Sequence, residues 1–557
     1  MLRGLRKLVA GAPKLPPCSL DELVLDRAVH FGLPAGACVL AYDPIQKLLA
    51  VGSLRGGVKL LGRAGVEQLL VYALDEPQPG PVNLLQFAPN AHTLLSVHDG
   101  GVIVVWDVHA RRASARLSAG DVVTAIHAPI GSSFAYVGTA VGLILVLDLF
   151  PADGQPARFS SYTLGHEHVA PTAERSCAVV AVEASPLQDE VLLAVWADGT
   201  VALVDLYKRA PLCTFALGGG AIVADSAPTP TCASWHSGGK QLVIGYADGG
   251  LAVWSVDAPG RAQLRLSAAP ETGGLRRPIR SVHWGNAPDT ASSDGADAFA
   301  PALFLLGGTL LEAEPDAVVV LRGHSWSERL IFSGGVSRHG GHACAVRSFV
   351  LAGGGLLLNG GVHRPSNLIA LSHDGELLLY SLTQTGVAPL AWPSAFPAAS
   401  PLTAVCRLSG RDAQLRKLLR AGANPFGPWP MRGGELRGVH AEQILITAHE
   451  GGEIEARDAA TRGVLPLRAC ETRGDGGDGG ALRPREPTGR AVPLLQPYGG
   501  HLVLAGGADG SVELLWLEPR ALCAAAHGAQ HAADTPAAST LPPVSYKHLT
   551  LPTKRIV

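Results

Sequence analysis

The chain has 557 residues, 47% hydrophobic and 5% aromatic, with 67 glycines, 41 prolines and 2 methionines. That profile favours many short strands and turns over long helices, because Gly and Pro interrupt helices and supply turns. Its 45 basic and 47 acidic side chains give a formal charge of -2, which leaves no domain-wide basic field to hold a phosphate backbone and excludes nucleic acid as the main partner.

The first segment, 1–24, sets Leu2, Leu5, Leu8 and Val9 against Arg3, Arg6 and Lys7. This pattern is compatible with a small amphipathic helix on an anionic membrane, and is read as a frayed, solvated terminus. No apolar run approaches the roughly 18 to 20 residues needed to span a bilayer, so membrane contact is expected to be peripheral at most. The nine cysteines are scattered, odd in number and without a CxxC pair, which suits a reducing, cytoplasmic location and not a zinc ribbon.

From residue 25 onward a repeat sets in. Each unit opens on an alternating strand, as in VNLLQFAP at 82–89, AVVAVEASP at 178–186 and TCASWHSGG at 231–239. A second apolar strand follows, then a tight turn, then a third strand closing on an aromatic or acidic residue. The clearest copies are TLLSVHDGGVIVVWDV at 93–108, VLLAVWADGTVALVDL at 191–206 and QLVIGYADGGLAVWSV at 241–256. Looser copies begin at 48, 134, 368, 444 and 502, and a degenerate unit lies between about 278 and 322.

Asp before Gly lets antiparallel strands reverse within a few residues, since Gly accepts positive φ and Asp bonds the local backbone. The pairs Asp99 and Gly100, Asp198 and Gly199, Asp248 and Gly249, Asp374 and Gly375, and Asp509 and Gly510 are therefore read as structural blade turns. Trp106, Trp235 and Trp254 are read as rings filling the gaps between units. A unit of three or four strands cannot bury both faces alone, so the units must stack radially.

The fold class expected is thus all-β, a WD40-type β-propeller with a seven-bladed first ring, plus the beginning of a second, incomplete propeller. The first ring with an eighth repeat takes 25–465, and the start of the second ring takes 491–540. Between them, 466–490 reads as a flexible Gly/Pro-rich linker, GDGGDGG at 474–480 followed by RPREPTGR. A loop at 284–300, rich in Ser, Asp and Ala, is expected to be exposed. The tail 541–557 carries no repeat and is read as unstructured and non-native.

No phosphate loop, nucleophile elbow, HExxH helix or EF-hand loop occurs, so no enzyme, metal or cofactor is expected. His166 and His168 are read as solvated loop histidines, as are His339 and His342, and Asp475 and Asp478 as linker residues.

The stretch 29–67 carries His30, Gly32 and Pro34, then Asp43 and Pro44, and ends on Gly65, Val66 and Glu67. It resembles the opening blade of the lethal giant larvae and tomosyn family, closest to the tomosyn branch. SWHSGGKQLVIGYADGGLAVWSV at 234–256 and WPMRGG at 429–434 resemble later blades. The resemblance implies a cytosolic scaffold, peripheral at the plasma membrane, that binds syntaxin-type SNARE proteins and regulates vesicle exocytosis. Rab GTPase or non-muscle myosin binding is a further implied partnership. The alternative is a cell-polarity or cytoskeletal scaffold of the lethal giant larvae kind, with myosin or a GTPase regulator as partner, or a generic WD-repeat adaptor. No heptad segment is visible, which sets the SNARE-mimic activity of tomosyn-like members apart from what this chain carries.

Overall fold

A strand covered on both faces buries side chains at every position, and the second strand of several repeats does so, chiefly with apolar residues and with the few polar ones hydrogen-bonded. Leu48–Ser53, Thr93–His98, Val191–Trp196 and Asn367–Ser372 are buried along their whole length. By contrast the fourth strand of the second blade, Arg112–Ser118, alternates exposed and half-buried residues, as a solvated outer edge should.

This computed structural model describes residues 32–390, apart from the connecting stretches 63–66, 73–78, 171–176, 216–227, 268–273, 289–298, 313–314, 324–325, 336–342, 354–363 and 383–388 and a few single positions. Beyond them it describes the strands between 402 and 517. Seven four-stranded antiparallel sheets occupy 37–70, 82–118, 123–164, 179–215, 230–267, 279–332 and 346–390, each with its strands in sequence order. The first strands of neighbouring blades lie beside one another around the ring. Blade 7 closes on blade 1: the Leu40 N–H donates to Ser348 Oγ at 3.2 Å, and Ala37, Leu49 and Val51 are buried against Ile369 and Leu371. The fold is a seven-bladed β-propeller. Its closure rests on packing between whole blades, since no strand is shared between the first and the last.

Each first strand carries a bulge at its second residue, the register slipping at Cys38, Asn83, Thr124, Val180, Thr231, Arg280 and Arg347. A bulge leaves one residue unpaired and re-aims its side chain. In four blades that side chain reaches the carbonyl that opens the next blade's first strand. Cys38 Sγ lies 3.2 Å from the Val82 oxygen, and Arg280 Nη2 donates to the Val346 oxygen at 2.8 Å. Thr124 Oγ1 donates to the Val179 oxygen and Thr231 Oγ1 to the Ile279 oxygen. The same device recurs further on, where Thr403 Oγ1 donates to the Val492 oxygen.

Between blades the large rings meet in pairs. Trp106 of the third strand in blade 2 stands 5.0 Å from Tyr72 at the end of blade 1. Trp254 of blade 5 meets Phe215 of blade 4 at 5.7 Å, and Tyr380 of blade 7 meets Phe332 of blade 6 at 5.1 Å. Trp106, Trp254 and Tyr380 are at most 1% exposed, and Trp235 is buried at the end of its first strand.

Three expectations are corrected. The degenerate sixth unit is a regular blade whose first hairpin, Ile279–Pro288 with Phe299–Gly307, is the longest described. Of the loop expected at 284–300, positions 284–288 and 299–300 are strand, with Trp284, Ala287 and Ala300 buried; 289–298 lie outside the described residues. Leu467–Cys470 and Leu482–Pro484, expected within a flexible linker, are strands of a five-stranded sheet. In that sheet Leu467–Cys470 pairs with Val512–Leu517, so the two strands at one side of the sheet precede the other three in sequence. The eighth sheet spans 402–465. The segments 1–24 and 541–557, His339, His342, Asp475 and Asp478 lie outside the described residues.

Candidate functional site

The opening-blade motif is placed around one carboxylate. Gly32 donates its N–H to Glu67 Oε2 at 3.0 Å, and Lys59 Nζ meets the same oxygen at 2.8 Å with the lysine side chain fully buried. Pro34 is buried and its carbonyl accepts from the Ala37 N–H. Asp43, fully buried, accepts from the N–H groups of Ile45 and Gln46, which sets the turn through Pro44. His30 lies outside the described residues. The described motif residues therefore serve blade 1 itself, Gly32 and Glu67 at its outer strand and Asp43 at the turn between its first two strands.

The Asp-Gly turns differ from one another. Asp198 Oδ1 accepts from the Thr200 N–H and Asp248 Oδ1 from the Gly250 N–H. Asp99 Oδ1 accepts from Asn83 Nδ2, while Gly100, Gly199, Gly249 and Gly375 all have positive φ. Gly375 donates to the Ser372 carbonyl next to Asp374. Asp509 and Gly510 lie outside the described residues.

His166 is not a solvated histidine. It is 2% exposed, with Nε2 at 3.1 Å from Asp198 Oδ2 and 3.2 Å from Thr200 Oγ1, and its ring stands 5.1 Å from that of Trp196. A Gly-His step before the next blade carried the signal, and the polar sequence around it hid the burial. Cys177 joins His166 and Asp198 within 4.8 Å, though Asp198 and Thr200 already bond the imidazole. In blade 2 a parallel network joins His98 Nε2 to Ser96 Oγ at 2.8 Å and to the Tyr72 hydroxyl at 3.1 Å, with Trp106 Nε1 donating to the same Ser96 oxygen. Since the Gly80 carbonyl can only accept, His98 Nδ1 carries the proton and Nε2 accepts. Burial holds the His98 pKa below its ordinary value.

A concave surface lies between blades 3 and 4, a groove of about 490 Å³. One wall is the turn 129–134 between the first two strands of blade 3. The other is formed by the turn 185–190 and by Leu206 and Tyr207, all of blade 4. Its floor holds Tyr136, Val146 and Ala184. Ile130, Phe134 and Tyr207 stand exposed on its rim, Tyr207 at 88%. None of these residues carries a sequence motif; the only hint is the unusual exposure of apolar side chains, which cannot be read from one sequence.

No family model matches this chain. The lethal(2) giant larvae protein homolog 1 of Rattus norvegicus is 24% identical over 498 residues, covering 83% of this chain and 45% of that protein. The chain is similar to the lethal giant larvae proteins. The Drosophila pseudoobscura pseudoobscura protein is 24% identical over 556 residues, covering 88% of this chain and 43% of its own length. The Danio rerio LLGL scribble cell polarity complex component 2 is 22% identical over 491 residues, with 82% and 44% covered. The chain thus spans less than half the length of these curated relatives. Among solved structures, the RRP9 WD40 repeats match with 14% identity and a TM-score of 0.41, over 62% of this chain and 89% of that one.

Proposed function

We propose that this chain is a non-catalytic protein-interaction scaffold of the lethal giant larvae kind, serving cell polarity at the cytoplasmic face of the cell cortex. The observation that carries it is the similarity over more than four-fifths of the chain to lethal giant larvae proteins, one of them named as a component of the scribble cell polarity complex. A propeller suits the role because its loops gather residues of many blades onto two broad faces. No described helix is long and apolar enough to cross a membrane, so cortical placement would come through partners, with non-muscle myosin or a GTPase regulator as the expected classes.

The exocytic reading, with syntaxin-type SNAREs or a Rab GTPase as partners, draws on the tomosyn-like features of 29–67 alone. The relatives support the polarity reading better. The test is rescue: the tagged chain is expressed in epithelial cells lacking their own lethal giant larvae protein. Basolateral cortical enrichment with restored apical-basal polarity is the expected result. A diffuse chain that restores nothing, while binding a soluble syntaxin segment in calorimetry, would move the assignment to exocytosis.

A further inference from the structure

The groove between blades 3 and 4 has three features that bulk surface lacks. Its floor is largely apolar, with Val146 and Ala184 beside Tyr136, and its volume falls in the range that accommodates one or two large side chains. Tyr136 is only 7% exposed, yet its hydroxyl has no hydrogen-bond partner among the described residues, although the groove opens beside it. At one end Asp189 and Glu190 stand side by side, both exposed and neither in an ion pair among the described residues.

Two cations next to the lining residue Tyr207 are engaged elsewhere. Lys208 pairs with Asp205 at 3.0 Å, and the Arg209 guanidinium lies 4.4 Å over the Tyr162 ring. Neither cation pairs with Asp189 or Glu190, which stand exposed next to a largely apolar floor and an exposed aromatic rim. Acidic or phosphorylated ligands are disfavoured there by like charge. A purely apolar ligand would leave the two carboxylates without a partner.

We infer that this groove binds a short linear segment of a partner protein, with a leucine or phenylalanine on the floor at Tyr136 and a nearby lysine or arginine on Asp189 and Glu190. The inference deepens the scaffold reading and rests on it. The segment lies between the turns that join first to second and third to fourth strands, on the face opposite the Asp-Gly turns.

The test uses the whole chain panned against a random dodecapeptide phage library, with the D189K/E190K double variant and Y207A beside it. Thermal melting checks that both variants fold. Recovered peptides are expected to carry Lys or Arg within three positions of Leu or Phe. As synthetic peptides they should lose about tenfold or more in affinity on the charge reversal and weaken with added salt. Failure to enrich any peptide overturns the inference, as do acidic peptides or affinities indifferent to D189K/E190K. So does a chain that self-associates in ultracentrifugation and becomes monomeric as Y207A, since a second copy would then be the occupant. A wild-type chain that rescues polarity but selects no peptide loses only the groove; one that selects basic peptides but rescues nothing loses only the polarity role.

Discussion

Lys59 and Glu67 form a buried ion pair, Nζ to Oε2 at 2.8 Å, that ties the third strand of blade 1 to its outermost strand. The lysine is fully buried and the carboxylate side chain is 8% exposed. Removing one partner of such a pair leaves a charge in a low-dielectric site. E67Q is expected to destabilise the ring by about 3 to 5 kcal/mol, whereas the apolar double variant K59M/E67L should recover most of that loss. Urea unfolding of the three proteins measures it. Equal stability of wild type and E67Q would show that the pair contributes nothing net.

The inter-blade latches make a second expectation. Thr231 Oγ1 donates to the Ile279 carbonyl across the blade 5 to blade 6 boundary. T231V keeps the shape and leaves that carbonyl short of a donor, at a cost of about 1 to 2 kcal/mol. T124V should behave alike at the blade 3 to blade 4 boundary. The two sites share no partner, so the double variant should lose the sum to within about 0.5 kcal/mol in chemical denaturation.

The Asp-Gly turns should rank in an order that their sequence does not show. A Cβ on Gly249 would lie 2.7 Å from Arg276 Cβ and 2.9 Å from the Arg277 carbonyl, while one on Gly199 meets nothing within 4 Å. Both have positive φ, 77° and 96°. G199A is expected to cost about 1 kcal/mol from backbone strain alone, and G249A at least about 2 kcal/mol because the neighbouring chain must move. Thermal melting in parallel distinguishes the two, and a smaller loss for G249A would contradict the steric account.

Two half-buried groups, both partly desolvated, pull the pH profile in opposite directions. Burial pushes the Glu183 carboxyl up to about 7, with the Trp235 N–H bond opposing, against an ordinary value of 4.5. The folded state then holds a proton that the unfolded state has released, so this group lowers stability as pH rises from about 4.5 to 7. Burial pushes His127 down to about 4 from 6.5. There the unfolded state binds the extra proton, so stability is lost as pH falls from about 6.5 to 4. His98, His236 and His373 are lowered in the same sense, burial first in each case. E183Q should therefore show a steeper gain in stability between pH 5 and 7 than wild type, by an amount on the order of 1 to 3 kcal/mol. Urea midpoints at pH 5, 6 and 7.5 test this, and parallel profiles would place the Glu183 carboxyl in water.

The strand repeat was legible in one sequence because it is local. Alternation in VNLLQFA, apolar runs such as VLLAVW and the Asp-Gly reversals are set by neighbours within about ten residues. The number of units and the all-β class follow from the same short-range signals. Blade 6 looked degenerate only because a long first hairpin pushed its strands apart in sequence; the pairing of Ile279–Pro288 with Phe299–Gly307 is regular. His166 looked solvated because its burial comes from Trp196 and Thr200, about thirty residues away.

What only the tertiary structure decided depends on residues that ring formation brings together. Trp106 could be recognised as a core ring, but not Tyr72 as its partner, nor the matching pairs of Phe215 with Trp254 and Phe332 with Tyr380. The bulge residues Cys38, Thr124, Thr231 and Arg280 share no side-chain chemistry, and only the placement of the next blade gives them one acceptor in common. The groove is the same kind of feature, since Tyr136 and Val146 come from one blade and Ala184 and Leu206 from the next. A sequence encodes the period of its strands in adjacent side chains, but a surface between two blades is encoded by pairs of positions that no fixed spacing relates.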